Sequence, residues 1–282
     1  FIIHHSSFVI RISSFRLVRP SMSAQIPQKS LPPPLPHLRR GSDPDTIDAP
    51  MDESPRAQHF ALDRLVRDDV AYILPMAAFL AVTAIAQQWP SFLPAGYVLK
   101  TVLAAVLLIA MRPHFTKITW DYWQLGILVG IIGTAQWIGM EKALLHFWPN
   151  YPALSHESFN PFEKIASHSW LIVFLIFRLA GPALVVPFME ELFWRDFLWR
   201  MLLAPNDFKL AGVGEWDAKV FWAVAILFAS EHVQWITAIV WAVMIGYLLV
   251  RTRSLGACIV AHGVTNLLLG IYVLYTHDWW FW

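Results

Sequence analysis

Three clusters of polar residues interrupt apolar sequence in the second half of this 282-residue chain. The first is Glu190-Glu191-Leu192-Phe193-Trp194-Arg195, close after Pro187. On a helix Glu191 and Arg195 stand at i and i+4 with the acid on the favourable N-terminal side, so they can pair. Glu190 then points roughly 100° away around the helix and has no obvious partner. A desolvated carboxyl group of this kind suits general acid or base work near neutral pH. The alternative is an interfacial helix end with solvated charges, to which Asp196 and Arg200 would also belong. The second cluster is Phe228-Ala229-Ser230-Glu231-His232, in which Phe228 and His232 share one helix face. His232 is either a functional imidazole or a hydrogen-bonded core residue, and Glu231 could orient it or cap the segment. The third is His262-Gly263-Val264-Thr265-Asn266. His262 and Asn266 are again i and i+4, and inside an apolar span they must face a polar partner or cavity, or else glue helices together.

The combination says more than any one cluster. A carboxylate and an imidazole can activate water, and an imidazole and an Asn amide can donate to a developing oxyanion. Glu190, His232, His262 and Asn266 therefore suffice for water-mediated amide hydrolysis. Glu190, His232 and His262 could equally hold a divalent metal such as zinc, with water in an open position.

Elements of membrane length must carry these residues. The chain is 57% hydrophobic and 15% charged, where a soluble chain carries about 25% charged residues. Residues 70–282 hold only 12 Lys/Arg and 12 Asp/Glu, together with all 15 Trp. This excludes an ordinary soluble enzyme, a disordered protein and a basic nucleic-acid binder. The net charge of +1 predicts no strong polyanion partner. The single cysteine, Cys258, cannot make an internal disulfide or a Cys-based zinc site and reads as a small buried residue.

Residues 1–60 differ from the rest. They hold 9 of the 19 prolines, and Ser6-Ser7-Phe8 recurs as Ser13-Ser14-Phe15. The stretch lacks a continuous signal-peptide core. It is expected to be a disordered or spurious N-terminal extension, with Met22 or Met51 as the real beginning. Residues 61–282 form the integral membrane domain. Spans of about 20 apolar residues are expected at Val70–Gln88, Ala95–Met111, Tyr122–Met140, Trp170–Met189, Lys219–His232, Val233–Val250 and Leu255–Tyr275. The fifth is short. The apolar run from Trp170 to Leu203 is too long for one span, and Pro182 and Pro187 should kink it. The expectation is an all-α polytopic bundle of seven or eight transmembrane helices with an intramembrane polar cavity.

With the N-terminus cytoplasmic, seven spans place Arg64, Arg67, Arg112, Lys117, Arg195, Arg200, Lys209, Lys219, Arg251 and Arg253 inside, and only Lys142 and Lys164 outside. The aromatic C-terminus then lies at the outer interface. This map puts Glu190 near the inner end of its span and His232 near the outer end of its own, although the chemistry requires them to meet. Arg178 lies mid-span with no assigned partner, and His156 and His168 belong to an external loop.

Glu-Glu-x-x-x-Arg, then Phe-x-x-x-His, then His-x-x-x-Asn resembles the CAAX prenyl protease/bacteriocin-processing (CPBP, or ABI) family of intramembrane proteases. The matching residues are Glu190, Glu191 and Arg195, then Phe228 and His232, then His262 and Asn266, within about residues 165–275. Arg251-Thr252-Arg253-Ser254-Leu255 also looks like the family's basic turn, and the Trp-rich body and aromatic C-terminus look like a bacterial branch of the family, thought to accompany exosortase-type sorting systems. The resemblance implies an all-helical bundle in a bacterial inner membrane and a membrane-anchored protein or peptide substrate. It implies Glu190 as the catalytic carboxylate, His232 as its aid in polarising water, and His262 and Asn266 as oxyanion donors. Glu191, Arg195 and Phe228 would support them. The family is labelled metalloprotease, yet a metal-free glutamate mechanism has been argued for it. His-Glu-x-x-His and Gly-x-Ser-x-Gly are absent. Gly212-Val213-Gly214-Glu215 lies in a polar loop and has no paired intramembrane Asp. A non-catalytic membrane scaffold or immunity protein is the main alternative, and a transporter, for which no internal repeat is visible, is a third.

Overall fold

A computed structural model describes residues 67–151 and 159–282. The N-terminal extension expected at residues 1–60, and His156, lie outside the described residues. The described chain is helical: α1 (Asp68–Gln88), α2 (Leu93–Ala110), α3 (Trp123–Phe147), α4 (His168–Leu203), α5 (Ala218–Ser230), α6 (Trp235–Thr252) and α7 (Leu255–Thr276). All but α5 are long and apolar enough to cross a membrane, six in number among the described residues. The fold class is the all-α polytopic bundle expected, with fewer full-length spans than the seven or eight counted from apolar runs. The run from Trp170 to Leu203 is one continuous helix. It keeps Pro182 and Pro187 within it and widens into π turns at Gly181–Val185, around Pro182, and at Leu192–Leu198.

Local chemistry sets the helix starts. Asp68 and Asp69 place negative charge in the first turn of α1, where the helix dipole favours it. The Asp217 carboxylate accepts from the backbone N–H groups of Lys219 and Val220 at 2.8 and 2.9 Å and caps α5. The Ser254 hydroxyl accepts from Ala257 N–H at 3.2 Å to cap α7, and its own proton reaches the α2–α3 loop at the Asp121 carbonyl, 2.6 Å away.

The basic residues gather at one end of the bundle. There Lys209 bonds the His114 carbonyl at 3.2 Å and pairs with Asp68, and Arg253 donates to the Val213 carbonyl at 3.3 Å. The opposite end is aromatic, with Phe162 against Trp279 at 5.9 Å between ring centres and Gln234 bonded to the Trp280 carbonyl at 3.2 Å. Arg195, expected at the inner side with these residues, is instead buried in the bundle.

The discrepancy over Glu190 and His232 resolves in α5. This helix has 13 residues, about 20 Å at 1.5 Å per residue, against about 30 Å of bilayer core. It starts at the basic end, and beyond its last turn the His232 ring folds back onto Phe228, towards the bundle.

α3 and α7 pack closely along Gly126, Gly130 and Gly133. A β-carbon at Gly130 would sit 2.7 Å from both the Ala261 carbonyl oxygen and Val264 Cβ. Small residues of this kind let helices approach in a medium where apolar burial alone gives little drive to associate. Gly130→Leu should therefore destabilise the detergent-solubilised protein by about 1–3 kcal/mol, read as a lower thermal midpoint by circular dichroism. Gly139 has no atom within 4 Å of a built β-carbon. Gly139→Ala should leave the midpoint unchanged or raise it, by up to about 1 kcal/mol of helix propensity.

Candidate active site

Glu190 and Glu191 close the short α-helical stretch of α4 between its two π segments. Both are fully buried, and Arg195 is 1% exposed. Arg195 Nη1 donates to Glu191 Oε1 at 3.2 Å, the pair expected from their spacing. The guanidinium lies 4.3 Å over the Phe228 ring and 5.6 Å over Trp241. Two aromatic faces thus supply part of the solvation that water would otherwise give this cation. Phe228 earns its place in the motif through that contact.

His262 joins the same cluster from α7. Its Nδ1 is 2.8 Å from Glu191 Oε1. An ionised carboxylate only accepts, so the proton sits on Nδ1 and, in the neutral ring, Nε2 carries the lone pair. Nε2 faces Glu190 Oε2 at 4.0 Å, beyond hydrogen-bond length. Neither oxygen of Glu190 has a hydrogen-bond partner among the described residues. Glu191 Oε1 is bonded twice and only its Oε2 is unbonded. Burial of a polar group without a partner is costly, so such groups concentrate where function requires them.

His232 follows α5 directly. Its Nδ1 bonds the Phe228 carbonyl at 2.9 Å, which fixes the proton there and makes Nε2 the basic nitrogen of the neutral ring. The imidazole lies on Phe228, with ring centres 4.5 Å apart, and against the edge of Trp137 at 5.6 Å. Phe228 in turn stacks on Trp241 at 5.3 Å, and Trp241 meets His262 edge-on at 4.7 Å. The two imidazoles are thereby joined through one aromatic wall. Glu231 is within electrostatic reach of Glu190 and leaves Oε2 unbonded.

Asn266 is placed differently. Its side-chain N–H donates to the Pro182 carbonyl at 2.9 Å. The π segment explains why that carbonyl is available. Val186 N–H reaches back to the Gly181 carbonyl, so the next donor in the wide-turn pattern would be residue 187, and Pro187 has no N–H. Gly263 permits the approach, since a β-carbon there would lie 2.6 Å from the Ala183 carbonyl oxygen.

The solvated helix end considered for Asp196 and Arg200 is not what forms. Asp196 is fully buried and Arg200 is 5% exposed. Asp196 accepts from the Tyr72 hydroxyl at 2.7 Å and pairs with Arg200. Arg200 also donates to the Ala211 carbonyl at 2.8 Å and the Lys209 carbonyl at 3.0 Å. Arg178, unassigned in the sequence, donates to the Tyr97 hydroxyl at 2.9 Å and lies 4.9 Å over the Trp282 ring. His168 is exposed at the start of α4, and Cys258 is buried. Trp137 and Trp241 escape a motif search. The signal that could have found Trp241 is its place on the buried face of α6 with Thr237 and Ile245, at helical spacing.

A divalent metal needs several ligands converging at about 2 Å. Among the described residues no three His, Cys, Asp or Glu side chains group in that way. The bonds at Nδ1 of His262 and His232 leave Nε2 of each ring as the nitrogen open to a metal or a water.

Residues 169–268 match the family model described as type II CAAX prenyl endopeptidase Rce1-like. The chain thus carries an Rce1-like domain, consistent with a CPBP family protease, and the match supports a CAAX-type intramembrane protease at the level of the family. It spans α4 to α7 and includes Glu190, His232, His262 and Asn266. Comparison with curated proteins and with solved structures gave no match.

The buried pair should be unforgiving. Arg195→Met leaves Glu191 without its cation and should destabilise the protein by about 3–5 kcal/mol. Removing both charges in Glu191→Gln/Arg195→Met should recover part of that loss. Denaturation in a fixed detergent, followed by tryptophan fluorescence, measures both.

Proposed function

We propose that this chain, with its Rce1-like domain, is an intramembrane endopeptidase in which Glu190 activates water against a peptide bond of a membrane-anchored protein or peptide. One observation carries the reading. Glu190 is a fully buried carboxyl with neither oxygen hydrogen-bonded among the described residues, 4.0 Å from a basic imidazole nitrogen. A water bonded to both groups at about 2.8 Å bridges a gap of that size.

Glu190 takes a proton from this water as its oxygen attacks the carbonyl carbon. The C–N bond then breaks, and the same proton passes from Glu190 to the departing amine. The products are a carboxylic acid and an amine, and transfer of the acid's proton to the amine leaves a carboxylate and an ammonium group. His262 accepts a second hydrogen bond from the water at Nε2 and is held in that role by Glu191, itself fixed by Arg195. The bond to Glu191 leaves the neutral ring no Nε2 proton for an oxyanion, so His262 is assigned to the water. An amide carries two N–H donors. Asn266 gives one to Pro182 and keeps the second for the oxyanion. Both protons of this water are then assigned, so His232, packed on Phe228, acts through the Phe228–Trp241 wall that lines the site and not by a bond to the water. No step passes through a metal.

Cleavage of a library of membrane-anchored C-terminal peptides by the detergent-purified protein tests this. Glu190→Gln keeps the shape of the side chain and should lower the rate by about 10²–10⁴-fold. A chelator should leave the wild-type rate unchanged. Equal rates for wild type and Glu190→Gln would restore the scaffold reading.

A further inference from the structure

Outside the Rce1-like region, α3 carries a further buried carboxylate. Glu141 is fully buried, and its partners come from three other parts of the chain. Thr237 Oγ1 of α6 donates to Oε2 at 2.9 Å. Trp280 Nε1, in the turn after α7, donates to Oε1 at 3.2 Å. The Tyr151 hydroxyl, in the segment after α3, donates to Oε1 as well. Burial, reinforced by the Glu141 carboxylate, holds the Tyr151 hydroxyl well above its ordinary pKa, so it remains a donor. Unlike Glu190, this carboxylate is saturated with donors, as a structural role demands.

What Glu141 holds is the turn that carries His232. α6 has no side-chain cap at Gln234. Its first turn is fixed instead by tertiary bonds: Thr237 to Glu141, Gln234 Nε2 to the Trp280 carbonyl at 3.2 Å, and Gln136 Nε2 to the Thr237 carbonyl at 3.2 Å. The carboxylate also stands at the N-terminal end of α6, where the helix dipole favours a negative charge. Glu141 is one helical turn from Trp137, whose ring edge touches the His232 imidazole. A single face of α3 therefore meets both the ring of His232 and the helix start just beyond it. Trp280 bonds the same assembly twice, through its ring N–H and its carbonyl.

We propose that Glu141 is a positioning residue that sets the depth and orientation of His232 by anchoring the first turn of α6 to α3 and to Trp280. The inference rests on the reading of His232 as part of the hydrolytic site. Glu141 touches none of Glu190, His262 or Asn266, so its effect on turnover passes through the α5–α6 turn. Glu141→Gln keeps an acceptor but loses the charge and turns one donor position against Thr237 or Trp280. Trp280→Phe keeps the ring and removes one bond.

The test uses the full chain in detergent with isotopically labelled histidine. The His232 ring resonances are identified by their loss in His232→Ala. Glu141→Gln should shift or broaden them while leaving those of His262 in place, with a smaller effect from Trp280→Phe. On a cleaved peptide, kcat should fall about 10- to 100-fold, the scale of a misplaced catalytic group, with KM within twofold of wild type. Unchanged His232 resonances in Glu141→Gln would overturn the proposal. So would equal changes at every histidine, which would mark general loosening. The spectroscopic result stands without a cleaved substrate, so failure of positioning is distinguishable from failure of the hydrolytic reading.

Discussion

An arginine inside an apolar helix bundle is the constraint from which the site follows. Arg195 cannot shed its charge, and lipid offers it nothing. Its partner is Glu191, one turn earlier on the same helix, and its flanks are covered by the faces of Phe228 and Trp241. Once Glu191 is committed to Arg195 it can still accept from a second donor, and His262 takes that place. The result is a line of groups from guanidinium to carboxylate to imidazole that ends at Nε2. Glu190 stands across from that nitrogen, adjacent in sequence to Glu191 but turned away from Arg195. Two neighbouring carboxylates thus acquire opposite characters, one saturated by partners on Oε1 and the other with none.

The backbone of α4 is irregular where this site is built. Pro182 and Pro187 take donors out of the helix ladder, and π turns lie around Pro182 and again at Leu192–Leu198. Irregular backbone at membrane depth survives only where protein satisfies it. α7 supplies that satisfaction, with Asn266 on the Pro182 carbonyl and Gly263 against the Ala183 carbonyl. His262 lies on the same helix as these two residues. The contact that repairs the backbone of α4 also brings the imidazole to Glu191, so repair and active-site assembly are one packing event.

Polar clusters brace the site from both ends of the bundle. Toward the basic end, Tyr72, Thr116, Asp196 and Arg200 tie α1, the α2–α3 loop and α4 together. Toward the aromatic end, Glu141, Thr237, Trp280 and Gln234 tie α3 and α6 to the C-terminal turn. Between them the catalytic candidates sit in an aromatic setting with few hydrogen bonds of their own. Helices in lipid gain little from apolar burial against one another, which makes saturated polar clusters and glycine contacts suitable fixtures for the parts that must not move.

Some of this was written in the sequence itself. Apolar runs give helices of membrane length because a bilayer forces every backbone group to be satisfied within the segment. The spacing of Glu191 and Arg195 gives their pairing, since i and i+4 are neighbours on any helix. Only tertiary structure could decide the rest, because it depends on groups far apart in the chain. The depth of His232 follows from where α5 stops. The partner of His262 is an acid on another helix, which fixes the tautomer and so what the ring can do. Asn266 meets a carbonyl that is orphaned by Pro187, a consequence invisible to any motif. Asp196 and Arg200 look like a solvated helix end until Tyr72 and the loop carbonyls arrive to bury them. Glu141 carries no local signal at all, since its donors lie on α6 and in two segments outside the helices. Periodicity records which face a residue occupies; what covers that face is settled only when the helices pack.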